Sequence, residues 1–366
     1  MYIYDQSDWP KFKWDTDKIS TILCPLLHDQ GRLLGQMERV GFKLQQGTFL
    51  ETLTQDVIKS SEIEGELLDQ TQVRSSVAKH LGIDIGALLP SDRNVDGIVE
   101  MILDATQNYD QSLTKERLFY WHTKLFPIDK YTKIKVGEWR QNVMQVVSGK
   151  MGQEVVHYEA PKAGLLDKEM ALFLKWVNED SNLDPVLKAA IAHLWFITIH
   201  PFDDGNGRIA RAISDMLLAR AEKSSLRFYS LSAQIQSERK DYYKILEKTQ
   251  KGDLDITAWI EWFLGCLGSA IEKARISLSN IFFKVKFWEK YQHVSLNERQ
   301  KKVINKLLDG FDNKLTTTKW SKMAKCSQDT AHRDIIDLIE KDILSKNTEG
   351  GRSTSYSLIQ IDRANA

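Results

Sequence analysis

Residues 200–211 read His-Pro-Phe-Asp-Asp-Gly-Asn-Gly-Arg-Ile-Ala-Arg. An apolar helical run over 189–199 precedes them. Pro201 disfavours helix in the residue before it, so that helix stops at His200 and leaves the imidazole facing the turn. Phe202 anchors the loop in the core, and Gly205, Asn206 and Gly207 permit positive φ and close backbone approach. From Asn206 the pattern is helical again, with Ile209, Ala212, Ile213, Met216 and Leu217 on one face. A helix N-terminus under a glycine turn offers free N–H groups and a partial positive charge to an anion. Arg208 and Arg211, three residues apart on the first turn, reach the same anion. Asp204 beside phosphate-binding groups calls for a bridging cation, and Mg²⁺ between Asp204 and two phosphates answers that need. His200 accepts a proton from a hydroxyl near neutral pH. Together these residues describe attack by a protein hydroxyl on a nucleotide phosphate, with the arginines offsetting leaving-group charge.

Around this stretch the chain is helical in period over 18–40, 48–62, 95–108, 114–126, 165–178, 185–199, 206–222, 239–249 and 255–290. The segment 82–94 reads as a loop. Two β-branched runs, Val143 to Val147 and Glu154 to Tyr158, flank Ser-Gly-Lys-Met-Gly and predict a hairpin. Tyr2, Tyr4, Trp9, Phe12 and Trp14 crowd the first fourteen residues, and the reading favoured for them is a tail stapled to the core.

From Asn297 onward the order changes to helix (297–309), short helix to Lys325, longer helix (328–341) and a glycine-turned hairpin from Ile343-Leu344 to Leu358. That is the order of a winged helix. A DNA-reading function would rest on Gln328, His332 and Arg333, and on Arg352 in the wing. From 295 to 366 there are 13 Lys and Arg against 10 Asp and Glu, a balance of +3, and Asp329, Asp334 and Asp337 on the third helix would repel phosphates. Protein contact is at least as well supported as DNA.

The bulk composition is that of a globular protein: 42% apolar, 27% charged, with 50 Lys and Arg balancing 50 Asp and Glu. No global field recruits nucleic acid or acidic membrane, so a phosphate ligand must be held locally. Three distant cysteines, Cys24, Cys266 and Cys326, form no zinc spacing and suit a reducing cytoplasm. No basic-then-apolar leader is evident, and no apolar run approaches the roughly 20 residues of a membrane span.

His200 to Arg211 resembles the signature of Fic-domain proteins, His-x-Phe-x-Asp/Glu-Gly-Asn-Gly-Arg-x-x-Arg, at every fixed position. The resemblance extends over roughly 115–265 and includes Gly137-Glu-Trp-Arg140 and Ala160-Pro161. It implies a mainly α fold: a Fic-type helical bundle with a small β-hairpin flap at 141–158, joined to the C-terminal winged-helix domain. The implied divisions are an N-terminal helical region (1–110), a catalytic core (111–290) and the winged-helix-like unit (291–366). The resemblance also implies a protein adenylyltransferase: AMP passes from ATP to a Ser, Thr or Tyr hydroxyl of a target protein, with Mg²⁺. The flap would align the target by strand addition. Tyr242 or Tyr243 would contact the adenine, the alternative being ordinary core tyrosines.

Ser60-Ser61-Glu62-Ile63-Glu64-Gly65 is similar to the inhibitory pattern of the same family, Ser/Thr-x-x-x-Glu-Gly/Asn, on a helix near 55–68. By that resemblance Glu64 takes the Arg211 guanidinium that should hold the γ-phosphate, and Ser60 ties the helix down. Other Fic-like transfers (phosphocholine, UMP or the γ-phosphate) and Glu64-assisted removal of AMP are alternatives, as is a DNA-binding regulator with a Fic-like sensor. A zinc hydrolase fails for want of paired His or Cys ligands. The target and the trigger are not written in the sequence, which also leaves a homo-oligomer open.

Overall fold

The computed structural model describes residues 1–126, 134–148, 155–310, 314–347 and 354–359. The turn of the first hairpin and Arg352 of the expected wing lie outside these residues. The chain divides into two compact units, Met1–Lys273 and Ala274–Ala366. The first holds both the N-terminal helical region and most of the expected core.

Five helices open the first unit: α1 (Thr16–Glu38), α2 (Phe42–Ile63), α3 (Gln70–Leu81), α4 (Arg93–Gln107) and α5 (Lys115–Leu125). The hairpin β1 (Gln145–Ser148) and β2 (Val155–Glu159) follows, antiparallel, with a register shift between Val146 and Val147. Then come α6 (Leu166–Asn178), α7 (Pro185–Ile199), α8 (Asn206–Glu222), α9 (Leu231–Ser237), α10 (Arg239–Gln250) and α11 (Thr257–Lys290), whose last turns belong to the second unit. The α3 and α9 helices were not expected from the sequence. Among the described residues no helix is long and apolar enough to cross a membrane.

The centre of this unit is α7. Asp184 caps it by accepting from Val186 N–H at 2.8 Å, and Pro185 occupies its first position. Its residues from Ala189 to Ile199 are all buried, as a helix apolar on every side requires. It packs most extensively on α8, while α2 lies against α3, α8 and α9, and α4 against α5 and α8.

The N-terminal tail is stapled as expected. Trp9 and Phe12 pack edge-on to Trp195, Tyr2 packs edge-on to Tyr158, and the Tyr4 hydroxyl donates to the Glu159 carbonyl at 2.9 Å. Lys13 forms a parallel bridge with Asp255.

The second unit continues with α12 (Glu298–Leu308), α13 (Thr317–Ala324), α14 (Gln328–Glu340), β3 (Leu344–Lys346) and β4 (Tyr356–Leu358). This is the expected helix, helix, helix, hairpin order, and Ser327 caps α14 by accepting from Thr330 N–H. Trp320, Ile335, Leu338 and Ile343 centre its own core. The acidic content of α14 reads differently in three dimensions. Asp334 is buried and accepts from Arg299 Nε at 3.0 Å, and Asp337 pairs with Lys341 at 2.6 Å. The outward face presents Gln328, Asp329, His332, Arg333 and Ile336. Of the three carboxylates Asp334 is internal, Asp337 is half-exposed but paired, and Asp329 is exposed.

Candidate active site

The loop from 200 to 205 is held by a small number of directional contacts. α7 ends at Ile199 as predicted, but by a different local route. His200 adopts φ 51°, ψ 58°, the left-handed region, rather than the extended conformation that a following proline favours. Its N–H still reaches the Phe196 carbonyl at 3.0 Å. Arg140, buried, donates through Nε to the His200 carbonyl at 2.7 Å and through Nη2 to the Pro161 carbonyl at 2.5 Å. One side chain thus ties this loop to the chain leaving the hairpin. Tyr158 donates to the Thr198 carbonyl at 2.5 Å from the same strand.

His200 Nδ1 lies 3.1 Å from the Ile197 carbonyl. That contact assigns the proton to Nδ1 and leaves the Nε2 lone pair free. Burial pushes the imidazole pKa down to about 4, against a smaller upward pull from the Ile197 contact, so the ring is neutral at pH 7.

Phe202 is fully buried and stacks on His122, with centroids 4.2 Å apart and planes within 9°. His122 accepts the Gly137 N–H at Nδ1, 3.0 Å, and therefore donates from Nε2 to the Asp204 carbonyl at 3.2 Å. Burial holds it neutral, near pKa 4. Neither this histidine nor its role as a strut under the loop is visible in the sequence, where it is one polar residue on an apolar helix face.

The glycine turn departs from expectation in its details. Only Gly205 has positive φ, +81°. Asn206 and Gly207 are already helical. The Asn206 side chain folds back, accepting from Phe202 N–H at 3.0 Å and donating to the Phe202 carbonyl at 2.8 Å. It staples the loop, so only its backbone is left for an anion. Gly207 provides space: a Cβ there would stand 2.1 Å from Glu64 Oε1.

Ser60 and Glu64, one turn apart at the end of α2, both meet Arg211. Arg211 Nε donates to Ser60 Oγ at 2.9 Å, Nη2 donates to the Ser60 carbonyl at 2.7 Å, and Nη1 stands 2.9 Å from Glu64 Oε1. Arg211 is almost wholly buried. Arg208 does not share this carboxylate. Its Nη1 pairs with Glu66 at 2.7 Å, a residue that the sequence reading passed over.

A cavity of about 650 Å³ opens in front of the loop, lined by His200, Asp203, Asp204 and Gly205–Gly207, by Val146–Ser148 and His157 of the hairpin, and by Arg239, Tyr243 and Glu247 of α10. Tyr242 is buried and hydrogen-bonded to His193 at 2.9 Å, which makes it chiefly a core residue. Tyr243 stands at the rim, 38% exposed, under Arg239. His157 bridges the hairpin to α10, with Ser148 Oγ at 2.6 Å on one nitrogen and Glu247 at 2.9 Å on the other. Asp204 is exposed at the cavity, with one oxygen accepting from Gly205 N–H at 2.6 Å. A single carboxylate with a free oxygen fits Mg²⁺, which takes one or two protein carboxylates and completes its shell with phosphates and water.

Residues 112–218 match the family described as Fic/DOC family. The chain contains a Fic domain. Ahead of it, residues 2–83 match a family described as a domain of unknown function, DUF4172. Over 208 residues the chain is 28% identical to the protein adenylyltransferase Fic of Drosophila yakuba, covering 56% of this chain and 38% of that protein. The Drosophila melanogaster protein of the same name is also 28% identical over 208 residues. The matched part is thus well under half of these relatives' length. Among solved structures, a Fic family protein from Desulfovibrio desulfuricans G20 superposes with a TM-score of 0.54 at 20% identity, covering 93% of this chain and 97% of that one. A Fic domain containing signaling protein from Bacteroides thetaiotaomicron VPI-5482 gives 0.51 at 21% identity, covering 69% and 95%. These two likenesses concern the fold, and they place the Fic domain in a helical architecture with a small hairpin.

Proposed function

We propose that this chain is an autoinhibited protein adenylyltransferase that moves AMP from ATP to a hydroxyl of a target protein. The observation that carries the reading is the ion pair of Glu64 with Arg211 at 2.9 Å, on a Fic loop whose His200 is neutral and free at Nε2.

In the active state the target hydroxyl oxygen attacks the α-phosphorus of ATP. The bond from that phosphorus to the bridging oxygen breaks, pyrophosphate leaves, and the hydroxyl proton passes to His200 Nε2. The backbone N–H groups of Asn206 and Gly207, at the start of α8, would face the phosphates, and Arg208 and Arg211 would offset the charge that builds on the leaving group. Asp204 would hold Mg²⁺, which supplies charge neutralisation to the phosphates when bound. The target segment would add as a strand to the hairpin, whose Val147, Val155 and Val156 are exposed. Tyr242 and Tyr243 both line the cavity, and Tyr243, the more exposed of the two, would meet the base.

In the resting state Glu64 withholds Arg211 from the γ-phosphate, so ATP binds without the geometry for in-line attack. The test is Glu64→Gly protein incubated with ATP labelled at the α- or the γ-phosphate, alone and with cell extract. Label from the α-position only, at a rate above wild type, is expected. Label from the γ-position would reassign the reaction to phosphate transfer, and no gain over wild type would remove the brake.

A further inference from the structure

α2 ends at Ile63, and the next residues close it in a defined way. Gly65 adopts φ +86°, its N–H reaches the Glu62 carbonyl at 3.0 Å, and the Glu66 N–H reaches the Ser61 carbonyl at 3.0 Å. This pair of bonds around a left-handed glycine is the Schellman arrangement. It hangs two carboxylates, Glu64 and Glu66, from the C-terminal end of one helix. That is the wrong end for them, because the helix dipole is negative there and disfavours acidic groups. Their placement calls for compensation, and the first two turns of α8 provide it: Glu64 meets Arg211, and Glu66 meets Arg208.

The second pair is as fully built as the first. Arg208 is buried, with 5% of its surface exposed, and its guanidinium lies 5.1 Å above the Phe126 ring. Glu66 Oε2 stands 2.7 Å from its Nη1, and the other carboxylate oxygen accepts from the Asn94 amide on the first turn of α4. A second cleft of about 540 Å³ adjoins the pair, lined by Glu64, Glu66, Asn94, Phe126, Asp204 and Arg208. It shares Glu64 and Asp204 with the larger cavity. The Nε of Arg208 is buried without a hydrogen-bond partner. The guanidinium is thus held on one side by Glu66 and has a donor left unsatisfied, short of an oxygen partner.

We infer that Glu66 is a second anionic plug of the phosphate site, holding Arg208 as Glu64 holds Arg211, so that both arginines of the loop are occupied at rest. The inference rests on reading Arg208 as a phosphate ligand. Glu66 and Glu64 stand where two anions of a polyphosphate would stand, at the N-terminal end of α8. Removing Glu64 alone frees Arg211 and leaves Arg208 masked.

The test uses the full chain as wild type, Glu66→Gln, Glu64→Gly and the double variant, and measures equilibrium binding of ATP and of AMP. Glu66→Gln should tighten ATP about three- to tenfold in both backgrounds, the worth of one partly buried ion pair. AMP affinity should stay within about twofold, because AMP lacks the β- and γ-phosphates that compete with the plug; this also reports that the site is still folded. Asn94→Ala, which loosens Glu66 without removing its charge, should move ATP binding in the same direction by less. ATP binding unchanged or weakened by Glu66→Gln in both backgrounds overturns the inference. Tightening in wild type that disappears beside Glu64→Gly shows that Glu66 only props Glu64, and also overturns it. Transfer is read separately: tighter ATP with no label moved in any form supports the plug and removes the transferase reading.

Discussion

Gly207 shows how much one missing methyl group decides. A Cβ there would meet Glu64 Oε1 at 2.1 Å, Glu64 Cδ at 2.9 Å and Arg211 Nη1 at 3.2 Å. The carboxylate is the far end of a flexible side chain, so it gives way and the helix does not. Gly207→Ala should therefore cost about 1 kcal/mol by urea unfolding, and most of that cost should be lost in a Glu64→Gly background, where only the 3.2 Å approach to Arg211 Nη1 remains. An equal cost in both backgrounds would place the strain elsewhere. His200 carries two expectations. His200→Ala should lower transfer by about 10²–10⁴ and leave ATP affinity intact. A base works only when unprotonated, so rate is lost as pH falls through its pKa. With burial holding that pKa near 4, the acid limb of transfer in the Glu64→Gly variant should lie near pH 4, well below the usual 6.5. Glu64 pulls the imidazole upward, so its removal cannot raise the limb. Much at this scale was legible in the sequence, because His200, Asp204, Gly205, Arg208 and Arg211 sit within one short string. What was not legible depended on partners far along the chain. Glu66 gains its meaning from Arg208, 142 residues away, and Asn206 proves a staple only when its bonds to Phe202 are seen.

The hairpin and α10 form the other wall of the site, and His157 joins them. Breaking the His157–Glu247 contact with His157→Ala should weaken modification of a protein target several-fold while ATP affinity is unchanged, read as separate KM values for target and nucleotide. An equal loss for both substrates would mean that the hairpin supports the nucleotide as well. Helix periodicity located most of the long elements to within two residues, and α7 and α8 to the residue, but α2 begins at Phe42, six residues before the expected start. It missed α3, whose buried Val73 and Val77 are its main apolar marks among polar neighbours, and α9, which spans seven residues. Both are stabilised by packing on α2 more than by their own pattern. The acidic face anticipated for α14 was reduced partly for a related reason: sequence spacing cannot tell that Arg299, 35 residues away, will claim Asp334, whereas the i,i+4 pair of Asp337 with Lys341 was open to reading.

Across the first unit, the helix that carries the anions is fixed to α8 through a buried charge cluster. Arg227 pairs with Asp215, and Asp56 of α2 accepts from Ser230. Burial, with the nearby Asp215 charge, pushes the Asp56 carboxyl up to about 7. Arg227→Met would leave Asp215 buried without its cation and should cost about 3–5 kcal/mol by urea unfolding; a cost below about 1 kcal/mol would show the cluster to be dispensable. For the second unit, the modest positive balance and exposed Asp329 lead to an expectation of no salt-sensitive gel shift by a 274–366 fragment on duplex DNA at physiological salt. A clear shift abolished by Arg333→Ala would make α14 a DNA reader after all. The change of element order after Asn297 suggested a separate unit, but the division between the two compact units falls at Lys273/Ala274, within α11, a matter of tertiary contact that periodicity does not report.

The single glycine-closed turn after Ile63 has a dynamic consequence. Both carboxylates depend on the same two backbone bonds, so fraying of one turn withdraws them together, a local opening that needs no rearrangement of the bundle. An activator therefore need not touch either arginine. Binding to the frayed form of that turn would shift the whole population, by an amount set only by its preference for the open state.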